Sequence, residues 1–81
     1  MSIAYYSKHM ITERIGLKIK FERQKRDFSQ ENLALAAGLS RSALWKIETG
    51  KASPTIESLE KIARALNMEF SELTDVSKVD L

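Results

Sequence analysis

The sequence predicts an all-α domain of four or five short helices, and three observations support this prediction. Apolar residues recur at the three- and four-residue spacing of an α-helix along most of the 81 residues. β-Branched and aromatic residues do not alternate anywhere with the period of two that marks a half-buried strand. Glycine and proline are scarce, and three of the four separate the helical segments: Gly38, Gly50 and Pro54.

Length and composition exclude several classes of protein. The 81 residues suit a single domain, and a hydrophobic fraction of 43% is ordinary for a folded one. Cysteine is absent, so neither a disulfide framework nor a thiolate metal site is expected. No apolar run approaches the roughly 18 residues of a membrane span, and the N-terminus lacks a basic region followed by an apolar core. We therefore expect a cytoplasmic protein without a metal or other cofactor.

Charge is distributed unevenly along the chain. Residues 1–51 hold ten Lys or Arg against five Asp or Glu, a balance of +5. Residues 52–81 hold three against six, a balance of −3. A basic first part suits a polyanionic partner, although an unevenly charged, solvated surface would give the same imbalance.

The first helix is predicted over about Thr12 to Lys25, with Thr12 or Ser7 as its N-cap. Gly16 lies inside it at a cost of about 1 kcal/mol relative to alanine, so we expect this glycine to permit close packing. One side of the helix carries the candidates for the core: Ile11, Ile15 and Ile19, followed by Glu22 and Arg23.

Serines and glycines bound the next two helices. A second helix follows Ser29, a favoured N-cap, and ends at Gly38, which suits a left-handed C-terminal position. A third helix follows Ser40 and stops at Gly50, so that it spans 41–49.

A loop around Pro54 precedes a fourth helix, which Thr55 caps and which spans Ile56 to Leu66. Ser71 is the predicted N-cap of a short fifth helix. The apolar stripe of the fourth helix consists of Ile56, Leu59, Ile62, Ala63 and Leu66. The predicted organisation is an N-terminal tail, a helical domain and a C-terminal tail: 1–10, 11–74 and 75–81.

The second and third helices meet the requirements of a helix-turn-helix. The very short turn between them, which contains Gly38, forces the two helices to cross closely. Close crossing needs small side chains, and Ala34 and Ala37 supply them. Leu44 and Ile47 lie three residues apart and face back toward the core.

Trp45 is predicted to face away from that core. At 100° per residue and with Leu44 at 0°, Ile47 lies near −60° and Trp45 near 100°. The sector around Trp45 also holds Ser42, Lys46 and Thr49. A tryptophan there suits a surface facing a DNA groove, where its ring would pack on a thymine methyl or a sugar. The alternative is that the ring folds back over the first helix or the loop as partial core.

From Ile15 to Leu73 the sequence resembles the Xre family, the helix-turn-helix domain of lambdoid phage repressors and Cro. The stretch reads "IGLKIKFERQKRDFSQENLALAAGLSRSALWKIETGKASPTIESLEKIARALNMEFSEL". The matching residues are Arg23, Phe28, Ser29, Gln30, Leu33, Ala34, Gly38, Ser40, Leu44, Ile47, Glu48, Gly50, Pro54, Leu59, Ile62, Ala63, Leu66 and Leu73. The resemblance implies a lambda-repressor-like fold and a sequence-specific, double-stranded-DNA-binding transcriptional regulator.

The resemblance also implies roles for individual residues. Gln30 would donate to a phosphate and steady the third helix, and Lys51 would lie near a phosphate. Arg23 and Glu48 would form an internal salt bridge between the first and third helices. The positions that would approach bases or backbone in the major groove are Ser40, Arg41, Ser42, Trp45 and Lys46. Of these, Arg41 or Lys46 would bond to guanine O6 and N7.

Two departures from the family pattern limit these assignments. Asp27 stands where the family usually has glycine, but aspartate tolerates left-handed geometry better than most residues. Trp45 replaces a residue that is usually small or polar, so the sequence preference cannot be copied from a relative. Residues 1–10 have no counterpart in the pattern.

We expect a homodimer that places its two third helices in successive major grooves of a pseudo-palindromic operator, about 34 Å apart. Regulation of its own gene fits such a small chain, whether as a restriction–modification controller, a phage-type repressor or an antitoxin. The predicted dimer contact consists of Phe70, Leu73 and Val76, and the alternative is that these residues cap the core of the protomer itself.

The competing hypothesis is an antitoxin or other protein-interaction module whose main partner is a protein, such as a toxin. The segments that would bind this partner are "IAYY" at 3–6 and "VSKVDL" at 76–81. An enzyme is not expected, because the single histidine, His9, lies in a predicted tail. Three hydroxyl residues are helix caps rather than nucleophiles: Ser29, Ser40 and Thr55.

Overall fold

A computed structural model describes residues 8–76 as five α-helices joined by short turns. The helices are α1 (Lys8–Lys25), α2 (Gln30–Ala37), α3 (Arg41–Glu48), α4 (Ile56–Ala65) and α5 (Phe70–Leu73). This part of the chain contains no strand, which confirms the all-α prediction. None of its helices has the length and apolar character needed to cross a membrane.

Side-chain caps begin α2, α3 and α4 where the sequence predicts them. Each capping oxygen accepts a hydrogen bond of 3.0 Å from the backbone N–H three residues on: Ser29 from Asn32, Ser40 from Ala43 and Thr55 from Ser58. Gly38 ends α2 in the left-handed conformation, with φ of 70°. The last helical residue of α3 is Glu48, and Thr49 is its C-cap, so α3 ends one residue before the predicted boundary.

Three further predicted boundaries differ from the structure. α1 includes residues 8–10, which the sequence assigned to the N-terminal tail. α4 ends at Ala65, with Leu66 as its C-cap. The N-cap of α5 is Glu69, not Ser71, because Glu69 and Glu72 form a reciprocal capping box in which Glu72 Oε1 accepts from the Glu69 N–H at 3.0 Å.

All five helices contribute buried residues to the core. α2 packs on α3 and α4, α1 packs on α3 and α5, and α4 packs on α5. The buried apolar residues are Ile19, Leu33, Ala34, Ala37, Leu44, Ile47, Leu59, Ile62, Ala63, Leu66 and Leu73. This cluster contains most of the residues that the helical spacing placed in the core.

Two sequence predictions about apolar residues are wrong. Ile11 is 42% exposed and Ile56 is 74% exposed, because both lie near the first turn of a helix, beyond the edge of the core. Leu73 is 0% exposed within one protomer, which fits the alternative that its side chain caps the core of the protomer itself.

α1 approaches the backbone of α3 closely at Gly16, and the sequence predicted close packing at this glycine. A Cβ atom at this position would collide with the carbonyl oxygen of Ile47 and would lie 2.7 Å from that of Glu48. Only glycine therefore lets the middle of α1 rest on the C-terminal turn of α3.

Candidate nucleic-acid interface

The turn between α2 and α3 fixes the angle at which α3 leaves the core. Gly38 adopts the left-handed conformation, and the backbone N–H of Leu39 donates to the carbonyl of Ala34 at 2.8 Å. Ala34 and Ala37 are buried at the contact between the two helices, as the sequence predicted. α3 is therefore held across the end of α2 with one side in the core and the other side in solvent.

The two sides of α3 have the composition that the helical wheel predicts. Leu44 is 0% exposed and Ile47 is 5% exposed. The outward side is formed by Arg41, Ser42, Trp45, Lys46 and Thr49, all of which are exposed. The division of α3 into a buried side and an exposed side, expected from the sequence, is thus present.

Trp45 lies at the edge of this outward side and is half-covered. The ring is 42% exposed, and it shares a shallow groove with Leu17 and Lys20 of α1. Lys51 Nζ lies 5.8 Å from the centroid of the ring, within the range of a cation–π contact. Trp45 therefore faces outward, as predicted, on the side of α3 that borders the groove shared with α1.

Positive charge on the outward side of α3 is not paired with a carboxylate in the described part of the chain, residues 8–76. Arg41 and Lys46 are exposed and form no ion pair among residues 8–76. Some cations elsewhere are paired along their own helices, as in Lys61 with Glu57 at 3.3 Å and Arg64 with Glu60 at 3.4 Å. The outward side of α3 is thus electrostatically complementary to a polyanion.

A buried carboxylate joins α3 to the rest of the fold. Glu48 accepts from Arg23 Nε at 2.7 Å and from Arg23 Nη2 at 3.1 Å, so the salt bridge implied by the family resemblance is present. Gln30 Nε2 also donates to Glu48 Oε1, at 3.0 Å. The third guanidinium nitrogen of Arg23, Nη1, donates to the carbonyl oxygen of Phe28 at 2.8 Å. We call these three side chains, Arg23, Gln30 and Glu48, the Glu48 hub.

The bond from Gln30 to Glu48 was not predicted from the sequence. The predicted role of Gln30 was to donate to a phosphate and to steady the third helix, and a carboxamide has two N–H donors. One donor is engaged with Glu48, which leaves the other for a ligand. The sequence holds no signal for this bond, because Gln30 and Glu48 are 18 residues apart and meet only after α2 and α3 have crossed.

All seven predicted DNA-contacting residues form a contiguous surface. Gln30, Arg41, Ser42 and Trp45 line one shallow depression. Ser40, Ser42 and Lys46 line a second one beside the loop that precedes α4. Lys51 lies against the ring of Trp45. The structure therefore brings together residues from the first turn of α2 to the loop after α3.

The turn geometry, the outward face of α3 and the Glu48 hub define a helix-turn-helix DNA-binding protein. The helix-turn-helix family model HTH_3 matches residues 19–73. The chain belongs to this family, in its Xre or lambda-repressor-like branch.

Curated relatives include large and small regulators. The HTH-type transcriptional regulator SutR of Escherichia coli (strain K12) is 45% identical over 57 residues, which are 70% of this chain and 32% of SutR. The control protein C.MunI of Mycoplasma sp is 39% identical over 67 residues, which are 80% of this chain and 90% of C.MunI. The chain thus spans about a third of the first relative and most of the second.

Solved structures share the fold. The restriction-modification controller protein C.AhdI of Aeromonas hydrophila aligns with a TM-score of 0.75 and 32% identity, covering 76% of this chain and 94% of C.AhdI. An HTH_3 family transcriptional regulator of Vibrio cholerae aligns with a TM-score of 0.80 and 35% identity, covering 86% of this chain and 40% of that protein.

Proposed function

We propose that this chain is a sequence-specific transcriptional regulator that reads the major groove of double-stranded DNA with α3. The observation that carries the proposal is the outward face of α3, where Arg41 and Lys46 have no ion-pair partner among residues 8–76. The Glu48 hub bonds the C-terminal end of α3 to α1 and α2 and so holds this face in place. A rigid helix with unpaired cations suits a groove whose walls are phosphates and whose floor is lined with acceptors.

The residues divide by their position into two groups. The proposed phosphate contacts lie at helix starts and in the loop after α3: Gln30, Ser40 and Lys51. The proposed base contacts lie on α3 itself: Arg41, Ser42, Trp45 and Lys46. Phosphate contacts set the register of the protein on the duplex, and base contacts set its sequence preference.

The operator is read by a homodimer in this proposal. Two copies of α3 enter successive major grooves about 34 Å apart on a pseudo-palindromic site. Phe70 is 38% exposed at the first position of α5 and supports a contact there. Val76 is half-buried, and its carbonyl accepts from Arg14 Nη2 at 2.6 Å, which holds this end of the domain against α1.

The proposed target is the DNA upstream of the protein's own gene. C.MunI and the ImmF control region 10 kDa protein of Bacillus phage phi105 support this proposal, because this chain covers 90% and 78% of their lengths and both are named for control. An autoregulator of this kind responds to its own concentration through dimerisation and binding.

Titration of Trp45 fluorescence tests the proposed function. The protein is titrated with its own upstream DNA and with a scrambled duplex of equal length and composition, each at two salt concentrations. We expect a change in the emission spectrum and tighter binding to the upstream DNA. Equal, weak binding to both duplexes that is lost steeply with salt would mean only non-specific phosphate contact and would contradict the proposal.

A protein-interaction module is the second candidate, and the outer face of α1 favours it. Phe21 is 60% exposed and Leu17 is 37% exposed, one helical turn apart. Exposed apolar groups of this kind are found at protein interfaces. The segment at 3–6 and most of that at 76–81 lie outside the described residues. No binding to either duplex, together with a stoichiometric protein that co-purifies through Leu17 and Phe21, would favour this candidate.

A further inference from the structure

Three large, exposed apolar side chains lie at the groove between α1 and α3. The groove has a volume of about 500 Å³, and Leu17 of α1 and Trp45 of α3 both line it. Phe21 lies one helical turn from Leu17 on the same side of α1, since four residues exceed a full turn by only about 40°. Leu17 is 37% exposed, Trp45 is 42% exposed and Phe21 is 60% exposed. We call these three side chains the α1–α3 strip.

Lysines accompany the α1–α3 strip. Lys25 Nζ lies 5.9 Å from the centroid of the Phe21 ring, and Lys51 Nζ lies 5.8 Å from the centroid of the Trp45 ring. Lys20 lines the groove itself. All three lysines are exposed, and none of them has an ion-pair partner among residues 8–76. The apolar strip is therefore bordered by positive charge.

Two carboxylates line the same groove, and they do not cancel this charge. Glu48 is neutralised by the buried Arg23 at 2.7 Å. Glu13 is the other carboxylate in the groove. Three lysines against this one carboxylate leave the surroundings of the strip positively charged, which favours an anionic partner.

Duplex DNA accounts for only part of this surface. Phosphates can pair with the lysines, but they offer no apolar surface to Leu17 and Phe21, which lie on α1 and not on the outward face of α3. Clustered, exposed apolar side chains are found at protein interfaces. A partner helix with apolar residues at three- and four-residue spacing can lay that face against such a strip, and carboxylates beside it can pair with the lysines. The chemistry of the strip therefore fits an acidic, amphipathic helix.

We propose that the α1–α3 strip binds an acidic, amphipathic helix of a partner protein, and that this helix excludes DNA from α3. The inference rests on the proposed function, because the exclusion follows from shared residues. Gln30 and Trp45 line the groove, and both also belong to the proposed DNA-contacting surface. A helix that covers Trp45 therefore occupies space that the duplex needs. Release of the operator is then a response to the concentration of the partner protein.

Peptide selection tests the chemistry of the partner. The full chain is presented to a phage-displayed library of randomised peptides of about 15 residues, which is enough for four helical turns. We expect the selected peptides to be acidic and to carry apolar residues at three- and four-residue spacing. Selected peptides without this pattern would overturn the proposal.

Variants locate the selected peptide on the strip, with affinities measured by fluorescence anisotropy of the labelled peptide. Burial of a phenylalanine side chain contributes about tenfold or more in affinity, so Phe21→Ala is expected to weaken peptide binding by at least that factor. Lys20→Glu reverses a charge in the groove and is also expected to weaken it. Leu35→Ala is the matched control, because Leu35 is 80% exposed on α2, and no change is expected. Far-ultraviolet circular dichroism verifies that the variants are folded. Equal affinities of the wild type and Phe21→Ala for the peptide would overturn the proposal.

Competition between the peptide and DNA tests the exclusion. The unlabelled peptide is expected to release labelled upstream duplex from the wild type, and to fail to do so from Phe21→Ala at the same concentration. Phe21 is not among the proposed DNA contacts, so without peptide this variant is expected to bind the duplex within about twofold of the wild type. A ternary complex of protein, peptide and duplex would contradict the exclusion and overturn the proposal.

The outcomes separate this inference from the proposed function. Preference for the upstream duplex, without any peptide whose binding depends on Phe21, overturns the inference and leaves the proposed function standing. If Phe21→Ala lowers the particle mass of the free protein in sedimentation equilibrium, a second copy of the chain covers the strip and the inference is wrong. If no duplex is preferred over a scrambled one, the proposed function fails, and the exclusion of DNA fails with it.

Discussion

Arg23 and Glu48 form a buried ion pair that joins the last turn of α1 to the last residue of α3. Arg23 is 8% exposed and Glu48 is 4% exposed, and two hydrogen bonds of 2.7 and 3.1 Å connect them. Gln30 and the carbonyl of Phe28 engage further polar atoms of the pair. Because α3 ends at this pair, the pair fixes how the outward face of α3 is presented.

Removal of one partner of this pair is expected to destabilise the fold strongly. Glu48→Ala leaves the Arg23 guanidinium buried without a counter-charge, a change that typically costs about 3–5 kcal/mol. The free energy of unfolding is measured by urea denaturation at constant m-value. Glu60→Ala removes a solvent-exposed partner of Arg64 and serves as the control, with an expected change within about 0.5 kcal/mol. Equal midpoints for the two variants would contradict a structural role for the pair.

Gly16→Ala is expected to lower stability, although alanine is the better helix former by about 1 kcal/mol. The added methyl meets backbone rather than a flexible side chain, since it collides with Ile47 O and lies 2.7 Å from Glu48 O. Overpacking of this kind costs about 1–3 kcal/mol, and relief requires α3 to shift away from α1. Thermal unfolding measures the loss, and Gln24→Ala on the exposed side of α1 is the control. A melting temperature raised by Gly16→Ala would show that α1 and α3 are not in close contact.

Local rules of the sequence explain most of the fold. The N-caps Ser29, Ser40 and Thr55 act within four residues, so their hydrogen bonds could be predicted from the sequence alone. The periodicity of α3 likewise placed Leu44 and Ile47 in the core. Each of these features depends only on neighbours along the chain.

The features that the sequence did not predict depend on contacts between helices or on the edge of the core. The spacing that includes Ile11 and Ile56 is correct for a helix, but periodicity does not report where the neighbouring helix ends. The bond from Gln30 to Glu48 requires the crossing angle of α2 and α3. The cap of α5 was missed because glutamate is not among the common N-cap residues, and Glu69 acts here only through its reciprocal bond with Glu72.

Glu22 is expected to make stability depend on acid pH. Burial of this carboxyl alone would raise its pKa, but hydrogen bonds and charges from Arg26 and Lys18 more than offset that effect and lower the pKa. A carboxyl whose folded pKa is depressed contributes stability that is present above its unfolded pKa and is lost as the pH falls through the folded pKa. Glu22→Gln is therefore expected to be less stable than the wild type at pH 7, and the gap is expected to close in acid.

Urea denaturation from pH 7 down to pH 2.5 measures this gap at each pH. Glu57→Gln is the matched control, because Glu57 also pairs with a lysine four residues away but is 79% exposed. The difference in free energy of unfolding between the wild type and Glu57→Gln is expected to stay constant over this pH range. A gap between the wild type and Glu22→Gln that is constant with pH would contradict the stabilisation of ionised Glu22.

The exposed ring of Phe70 is expected to contribute to the proposed dimer. Phe70→Glu places a charge next to Glu69 and Glu72, so it removes apolar contact area and adds like-charge repulsion across a two-fold axis. Sedimentation equilibrium is expected to show a shift from dimer to monomer. Leu35→Glu is the control, because Leu35 is an apolar residue of α2 that is 80% exposed. The particle mass of this variant in solution is expected to match that of the wild type. An unchanged mass for Phe70→Glu would place the dimer contact elsewhere.

Arg41 and Lys51 are expected to affect DNA binding in different ways. Arg41→Ala removes a proposed base contact, so it is expected to cost about 1–3 kcal/mol on the operator and to relax specificity at one position. Lys51→Ala removes a proposed phosphate contact, so it is expected to weaken binding to all sequences alike and to lower the salt slope by about one. Affinities are measured on operator and scrambled duplexes over a series of salt concentrations. Equal losses on the two duplexes for Arg41→Ala would mean that Arg41 contacts only phosphate. Base recognition would then depend on Ser42, Trp45 and Lys46, because these are the remaining base-contact candidates on the outward face of α3.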